Sequence, residues 1–468
     1  MSLDFQRGGD FLLTADSRWE RFKLHVDRIA KQSPARLALV VFALIIGFIT
    51  ALLLLPWATS SGKRAPFVDA LFTATSAVCV TGLTVVDSAD YWSVFGKIVI
   101  AVGIKIGGLG VMTLASILAL AVSRHIGLTQ RMLAATETKT DSLGAVGSLI
   151  TAVIITSTTM EGLIFLTLLP RFLTLHYEVA PAVGHALFMA VSTFNNAGFV
   201  IMPEGLGAYV SDWWMIMPVA VGTAVGALGF PVVLDLARHW RTPRLWTLHT
   251  KMTLATYFLL MIFAAAVVGA SEWDNPGTFG KLPTHAKVLS AILMGVNSRS
   301  SGMSSINIGE ETRATWLLQD ILMFIGGGSA STAGGIKVTT LAVMILAIVA
   351  EARGDRDIEA YGRRIPPQTV RLAVAVVSIG SLLVAVSTFT LLNITDYSLD
   401  VVSFDVISAF ATVGLSTGIT PHLPIAGKYL LTALMFAGRT GTMTVAAALA
   451  LRERRRVIRM PEERPAIG

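Results

Sequence analysis

Four glycines, Gly82, Gly198, Gly302 and Gly414, mark the places where this sequence could do chemistry. Each follows a short apolar stretch (67–78, 183–194, 286–297 and 401–411). Each lies in a turn of small residues: Val80-Thr81-Gly82-Leu83, Asn196-Ala197-Gly198-Phe199, Ser300-Ser301-Gly302-Met303 and Thr412-Val413-Gly414-Leu415. Such turns hold no acid or base, and the group all four can offer is the backbone carbonyl. Carbonyls gathered from several turns can replace the hydration shell of a cation. Glycine permits the backbone angles that point a ring of carbonyls inward. A short helix ending at each turn would bring its negative dipole end to the same place and favour positive charge.

Other chemistries find little support. The eight histidines (His25, His125, His176, His185, His239, His249, His285, His422) are scattered. There is no His-Glu-x-x-His, no Gly-x-Ser-x-Gly and no P-loop, so neither an enzyme nor a nucleotide site on this chain is expected. Cys79 is the single cysteine, which excludes an intrachain disulfide and a Cys-based metal site.

The elements that must position the glycines are membrane spans. The chain is 53% hydrophobic and 14% charged, with a mean hydropathy of +0.67; soluble domains carry about 25% charge. Crossing a bilayer takes roughly 20 apolar residues as helix, and Leu37–Leu55, Leu372–Leu392 and Tyr429–Leu451 meet that plainly. Hydrophobic runs predict eight spans, near 37–57, 93–123, 145–173, 213–237, 252–270, 315–350, 370–393 and 428–451. The net charge of +7 could suggest a nucleic-acid partner, but 25 of the 37 Lys and Arg lie in 1–36, 124–142, 238–251, 351–371 and 452–468. Those segments sit at every second exit from the membrane, which places them and both termini in the cytoplasm and excludes nucleic acid as the reason for the charge. Residues 1–36 mix acids and bases without an apolar core, unlike a signal peptide. The basic faces suit either anionic membrane lipid or a docked protein.

The glycines lie 116, 104 and 112 residues apart, close to a quarter of the chain each. Registered on them, the position ten before is Phe72, Phe188, Ile292 and Phe404, and the position six before is Ser76, Ser192, Val296 and Ser408. One such glycine would be an ordinary turn; four in register indicate internal repeats. Non-helical backbone at membrane depth must be buried in protein or line a water-filled cavity. The expected fold class is therefore an all-α polytopic membrane protein with four pseudo-repeats of span, pore helix, filter loop and span around one central pore. The units are 37–123, 124–238, 239–350 and 351–451, between a cytoplasmic segment 1–36 and a tail 452–468.

The sixth span is interrupted by Gly326-Gly327-Gly328-Ser329-Ala330-Ser331-Thr332-Ala333-Gly334-Gly335, followed by Lys337. Glycine costs about 1 kcal/mol relative to alanine inside a helix. A packing face would space its small residues every three or four, so the contiguous run reads as a loop breaking the helix across the cavity below the turns. Arg439 lies mid-span, where an ionisable residue is expensive and functional by default; the alternative is a structural pair with a buried acid or helix-end carbonyls. Glu161 and Asp320 are acids near membrane depth, either structural partners or charges of a vestibule.

Several separated motifs resemble the Ktr/Trk/HKT superfamily of K⁺ transporters. They are Thr75-Ser-Ala-Val-Cys-Val-Thr-Gly-Leu-Thr-Val-Val-Asp87, Thr193-Phe-Asn-Asn-Ala-Gly-Phe199, Asn297-Ser-Arg-Ser-Ser-Gly-Met303, Ala411-Thr-Val-Gly-Leu-Ser-Thr-Gly418 and Ile106-Gly-Gly-Leu-Gly-Val-Met-Thr113. With no extra pair of spans ahead of the first unit, the chain is most similar to the Ktr-type membrane subunit. The resemblance implies K⁺ coordinated by carbonyls of Val80, Thr81, Gly82, Asn196, Ala197, Gly198, Ser300, Ser301, Gly302, Thr412, Val413 and Gly414. It implies a gating loop at 326–335 faced by Arg439, a homodimer with one pore per subunit in the cell membrane, and a cytoplasmic ring of nucleotide-binding RCK-type regulatory subunits. It leaves open whether Na⁺ activates flux. Lys105 departs from the uncharged polar residue expected there. The rival to channel-like K⁺ uptake is a Na⁺- or H⁺-coupled symporter, since broken helices and repeats also mark that class. No span carries the repeated arginines of a voltage sensor.

Overall fold

The computed structural model describes residues 34–110, 146–175 and 177–450. The expected N-terminal segment up to residue 33, the basic segment 124–142, Met112, Thr113 and the tail 452–468 lie outside them. Long helices alternate with short ones: α1 (Pro34–Leu53), the short α2 (Phe67–Cys79) and α3 (Val94–Gly108); then α4 (Val146–Thr174), the short α5 (Val179–Phe194) and the paired α6 (Trp213–Leu228) and α7 (Phe230–His239). After these come α8 (Leu248–Glu272), the short α9 (Thr284–Asn297), and α10 (Arg313–Phe324) with α11 (Val338–Arg353). A hairpin of β1 (Ile358–Ala360) and β2 (Arg363–Ile365) leads to α12 (Pro367–Ile394), the short α13 (Leu399–Ala411) and α14 (Ile425–Ala450).

Local sequence explains where several helices begin. Ser93, Asp212, Thr247 and Thr312 each cap a helix by accepting from a backbone N–H of its first turn, a contribution of about 1 kcal/mol apiece. Among the described residues, 151–174, α8 and α12 are long and apolar enough to cross a membrane, and the α6–α7 pair adds a fourth if its arms form one span. The expected spans 37–57, 93–123 and 428–451 include residues that are not fully described. Large apolar side chains such as Leu44, Phe48, Leu166, Ile262, Leu382 and Phe389 are exposed on these helices, as suits a lipid environment and not water.

Two expected spans are not single rods. The run 213–237 bends by 97° at the junction of α6 and α7. Gly229 there has φ of +94°, and Pro231 opens the second arm. Hydropathy runs unbroken through the bend, so it could not register the change of direction. The run 315–350 is interrupted between α10 and α11, where the glycine-rich loop lies.

Each short helix packs beside the long helix that precedes it, and contacts also pass from one group to the next. α3 meets α5, α6 meets α9, α10 meets α13 and α14 meets α2. The last of these joins the end of the described chain to its beginning. The apolar clusters follow the same joints: Phe42, Phe72 and Leu434 share one buried cluster, Leu168, Phe194 and Leu293 a second, and Met294, Met323 and Phe404 a third.

Candidate functional site

The short helices all deliver their chains into turns, and three of the turns share a backbone shape. Val80, Asn196 and Thr412 have φ of +58°, +59° and +49°, two residues ahead of glycines at +94°, +75° and +98°. Ser76 and Ser408 fix this geometry. Each accepts the N–H one residue before the glycine at its carbonyl, and the glycine N–H at its hydroxyl. Ser192 accepts from Ala197 N–H and turns its own hydroxyl to donate to Phe199 O at 2.7 Å. The third turn differs. Val296 has no hydroxyl, Asn297 Nδ2 donates to Met303 O instead, and the positive φ falls on Ser301 at +92°.

The four glycines meet. A Cβ built on Gly82 would stand 2.6 Å from the carbonyl oxygen of Ala197, and one on Gly302 would stand 2.5 Å from that of Val413. On Gly198 it would strike the oxygen of Ser301, and on Gly414 that of Thr81. Each glycine thus abuts the carbonyl that precedes the glycine of the next turn, and the fourth returns to the first. Real Cβ atoms do not tolerate such distances, and positive φ adds strain of about 1–3 kcal/mol for most side chains. The structure therefore brings the four glycines and the residues that precede them, Thr81, Ala197, Ser301 and Val413, to one place, with Thr81, Asn196, Thr412 and Ser301 buried.

The loop between α10 and α11 lies against this ring. Its base is closed by Gly326 N–H to Ile336 O at 2.8 Å and Ile336 N–H to Phe324 O at 3.1 Å. It rests on the bend: Gly328 N–H donates to Ala227 O at 2.8 Å, Phe230 N–H to Ala330 O at 3.2 Å, and a Cβ on Gly229 would lie 2.5 Å from Ser329 O. Thr332 meets the second turn, its hydroxyl 2.5 Å from the Asn196 side chain. The Asn196 amide satisfies its surroundings when its nitrogen donates to Thr223 O and its oxygen accepts from Thr332 Oγ1 and Ala227 N. Gly334 meets the fourth turn, where a Cβ would stand 2.5 Å from Ala411 O. Ser331 Oγ donates to Gly328 O, and Lys337 Nζ to Ala333 O at 2.7 Å. Ten small residues are held, not loose.

Arg439 of α14 reaches the same loop. Buried to 5% exposure, it donates from Nη1 to Thr332 O at 2.5 Å and from Nη2 to Gly107 O at 3.0 Å. Glu161 is occupied elsewhere. It pairs with Lys105 at 2.8 Å and accepts from Asn195 Nδ2 at 2.7 Å. Lys105 therefore braces α3 to α4, and Asn195 extends the brace to the C-terminal end of α5. Asp320 stands near Ser403, 3.4 Å from its hydroxyl, and pairs with no cation among the described residues.

The sequence description of the TrkH family, a cation transport protein family, matches residues 29–457. The chain belongs to this family. It is 36% identical over 447 residues to the Ktr system potassium uptake protein B of Bacillus subtilis, covering 95% of this chain and 97% of that one. It is 33% identical over 449 residues to the potassium/sodium uptake protein NtpJ of Enterococcus hirae, covering 94% and 99%. The crystal structure of the potassium transporter TrkH from Vibrio parahaemolyticus superposes with a TM-score of 0.67 at 17% identity, over 88% of this chain and 84% of that one. That match shows a shared fold.

For a TrkH-family chain, the structure adds contacts that reading the sequence missed. Gly107, Gly226 and Gly438 press against the carbonyls of Val78, Phe194 and Phe410, leaving no room for a Cβ. They follow the ring glycines by 25, 28 and 24 residues. A signal was present, since Gly107-Gly-Leu-Gly110, Gly226-Ala-Leu-Gly229 and Gly438-Arg-Thr-Gly441 repeat one spacing.

Proposed function

We propose that this protein takes up K⁺ by channel-like conduction through a filter built from the four turns, gated by the loop 326–335. The observation that carries the reading is the closed circuit of glycines, each against the carbonyl of the next. Four helix C-termini and backbone oxygens brought together at one place suit a dehydrated monovalent cation and need no acid at the site. K⁺ is held by carbonyls of Val80, Thr81, Gly82, Asn196, Ala197, Gly198, Ser300, Ser301, Gly302, Thr412, Val413 and Gly414. The four pseudo-repeats 37–123, 124–238, 239–350 and 351–451 form one pore. Arg439 and Lys337 secure the loop in its blocking arrangement.

The protein works as a homodimer in the cell membrane with both termini cytoplasmic. A ring of RCK-type nucleotide-binding subunits docks on the basic cytoplasmic face, where anionic lipid competes for the same charges. Purified protein should then co-elute with such a subunit. Charge reversal at Arg454–Arg456 should weaken that co-elution; association untouched by the reversal would move docking to 238–251 and 351–371.

The decisive experiment is ⁸⁶Rb⁺ uptake and growth on low K⁺ in cells stripped of their own K⁺ transporters. Growth without Rb⁺ flux through the protein would defeat the reading. A second reading, coupled symport with Na⁺ or H⁺, draws on the name of the Enterococcus relative. Reversal potentials in two K⁺ gradients with Na⁺ varied separate the two and report whether Na⁺ activates.

A further inference from the structure

Arg299 lies in the third turn, three residues before Gly302, with 0% of its surface exposed. Its guanidinium carbon stands 3.8 Å from the centroid of the Tyr257 ring on α8. Among the described residues, Nε, Nη1 and Nη2 all lack a hydrogen-bond acceptor, and no carboxylate pairs with them. The contrast within the molecule is direct. Arg439 is also buried but donates to two carbonyls, and Lys105 has a carboxylate.

A guanidinium cannot shed its proton to escape this position. The Tyr257 ring attracts the cation, but none of the guanidinium N–H groups has a hydrogen-bond acceptor. Hydroxyls of the same helix and the same turn are in the same state. Tyr257 OH, Thr253 Oγ1 one turn before it on α8, and the Oγ atoms of Ser298, Ser300 and Ser301 beside Arg299 in the chain are buried without partners. The orphaned acceptors of this turn, Asn297 Oδ1 and the hydroxyls of Ser298, Ser300 and Ser301, make no hydrogen bond to Arg299.

A buried, uncompensated positive charge whose three donor nitrogens find no acceptor, on a turn and beside a helix that carry unpartnered hydroxyls, describes a site for a small anion. We propose that Arg299, Tyr257, Thr253 and Ser298 bind one monovalent anion of halide size, such as chloride, between α8 and the third turn. Complete burial leaves no opening for a larger organic anion. Water would satisfy the donors but leave the charge unbalanced in a low-dielectric interior. The bound anion would cancel the positive field of Arg299 beside the carbonyls of Ser300 and Ser301. The inference concerns binding and stands apart from the conduction reading.

The test uses the full-length purified protein. Thermal melts are compared in chloride, bromide and gluconate at equal ionic strength, for wild type, Arg299→Gln and Arg299→Lys, and bromide-soaked wild-type crystals are examined by anomalous scattering. We expect the wild-type Tm to rise saturably with halide by on the order of 2 °C. The rise should vanish in Arg299→Gln and persist at least in part in Arg299→Lys. A bromide peak should lie within hydrogen-bond reach of the guanidinium. A halide-independent Tm with only water at the position overturns the proposal, as does a halide effect that survives Arg299→Gln. If Arg299→Gln does not fold, the wild-type bromide peak decides: its presence supports the site and its absence overturns it.

Discussion

Arg439 and Thr332 are joined across 107 residues of sequence by a hydrogen bond of 2.5 Å from the guanidinium to the threonine carbonyl. The same guanidinium holds Gly107 O at the end of α3. One side chain thus ties three parts of the chain together beside the glycine ring. Hydrogen bonds to charged groups contribute about 1.5–3 kcal/mol each. Arg439→Ala should release the loop. In the proposed gate, weakening the blocked arrangement by about 2 kcal/mol would raise a minor open population about 30-fold. ⁸⁶Rb⁺ flux into liposomes should rise accordingly, and hydrogen exchange should speed up at Gly326–Gly335. Unchanged exchange would show that the contacts with α6 and α7 hold the loop without Arg439.

Deleting Gly327–Gly334 removes the contacts with Asn196, Thr412 and the Gly229 bend while sparing the ring. Flux should exceed wild type and depend less on a regulatory partner, and K⁺ should still be preferred over Na⁺. A folded deletion protein with flux at or below wild type would assign the loop to packing.

Gly82→Ser introduces a Cβ 2.6 Å from Ala197 O at a φ of +94°. The turn must shift by several tenths of an ångström, against strain of about 1–3 kcal/mol. The K⁺/Na⁺ permeability ratio should fall several-fold while the amount of folded protein falls less. Relative permeability equal to wild type would remove the first turn from the ion path.

Lys105→Met leaves Glu161 buried with only Asn195 and no cation. Breaking one side of a buried pair costs about 3–5 kcal/mol. Lys105→Met/Glu161→Leu should recover much of that loss. Melting curves of the two single variants and the double variant measure the coupling, and additive losses would show that Lys105 and Glu161 do not stabilise each other.

Glu311 is 5% exposed in the loop ahead of α10, with Gln319 as a donor at 3.1 Å. Burial, and next the charge of Glu272, push its carboxyl up to about 8. The folded state therefore favours the protonated acid. This part of the stability is present below the unfolded value near 4.5 and is lost as pH rises toward 8. Wild-type Tm should fall across pH 5–8, and Glu311→Gln should flatten that slope. Parallel pH profiles would place the titration elsewhere.

Much of this arrangement could be read from residues and much could not, for physical reasons. The caps at Ser93, Asp212, Thr247 and Thr312 are local, as are the apolar stretches that become α2, α5, α9 and α13. The aberrant third turn was visible as Val296 where its counterparts have serine, although the answering donor from Asn297 was not. The bend at Gly229 had a glycine and a proline to announce it, but unbroken hydropathy masked both. The partners of Lys105 and Arg439 depend on which helices become neighbours. Glu161 lies 56 residues from Lys105 and Gly107 lies 332 from Arg439, and no local pattern carries that information.

The circuit of glycines is written once in a single chain. Where a ring is assembled from identical subunits, one codon alters every side and any asymmetry is averaged away. Here one codon alters one side. The third turn has already used that freedom, shifting its positive φ to Ser301 while its three counterparts keep theirs two residues ahead of the glycine. The four sides can therefore be titrated experimentally, one, two or three substitutions at a time. Each side can also specialise under selection without carrying the others with it.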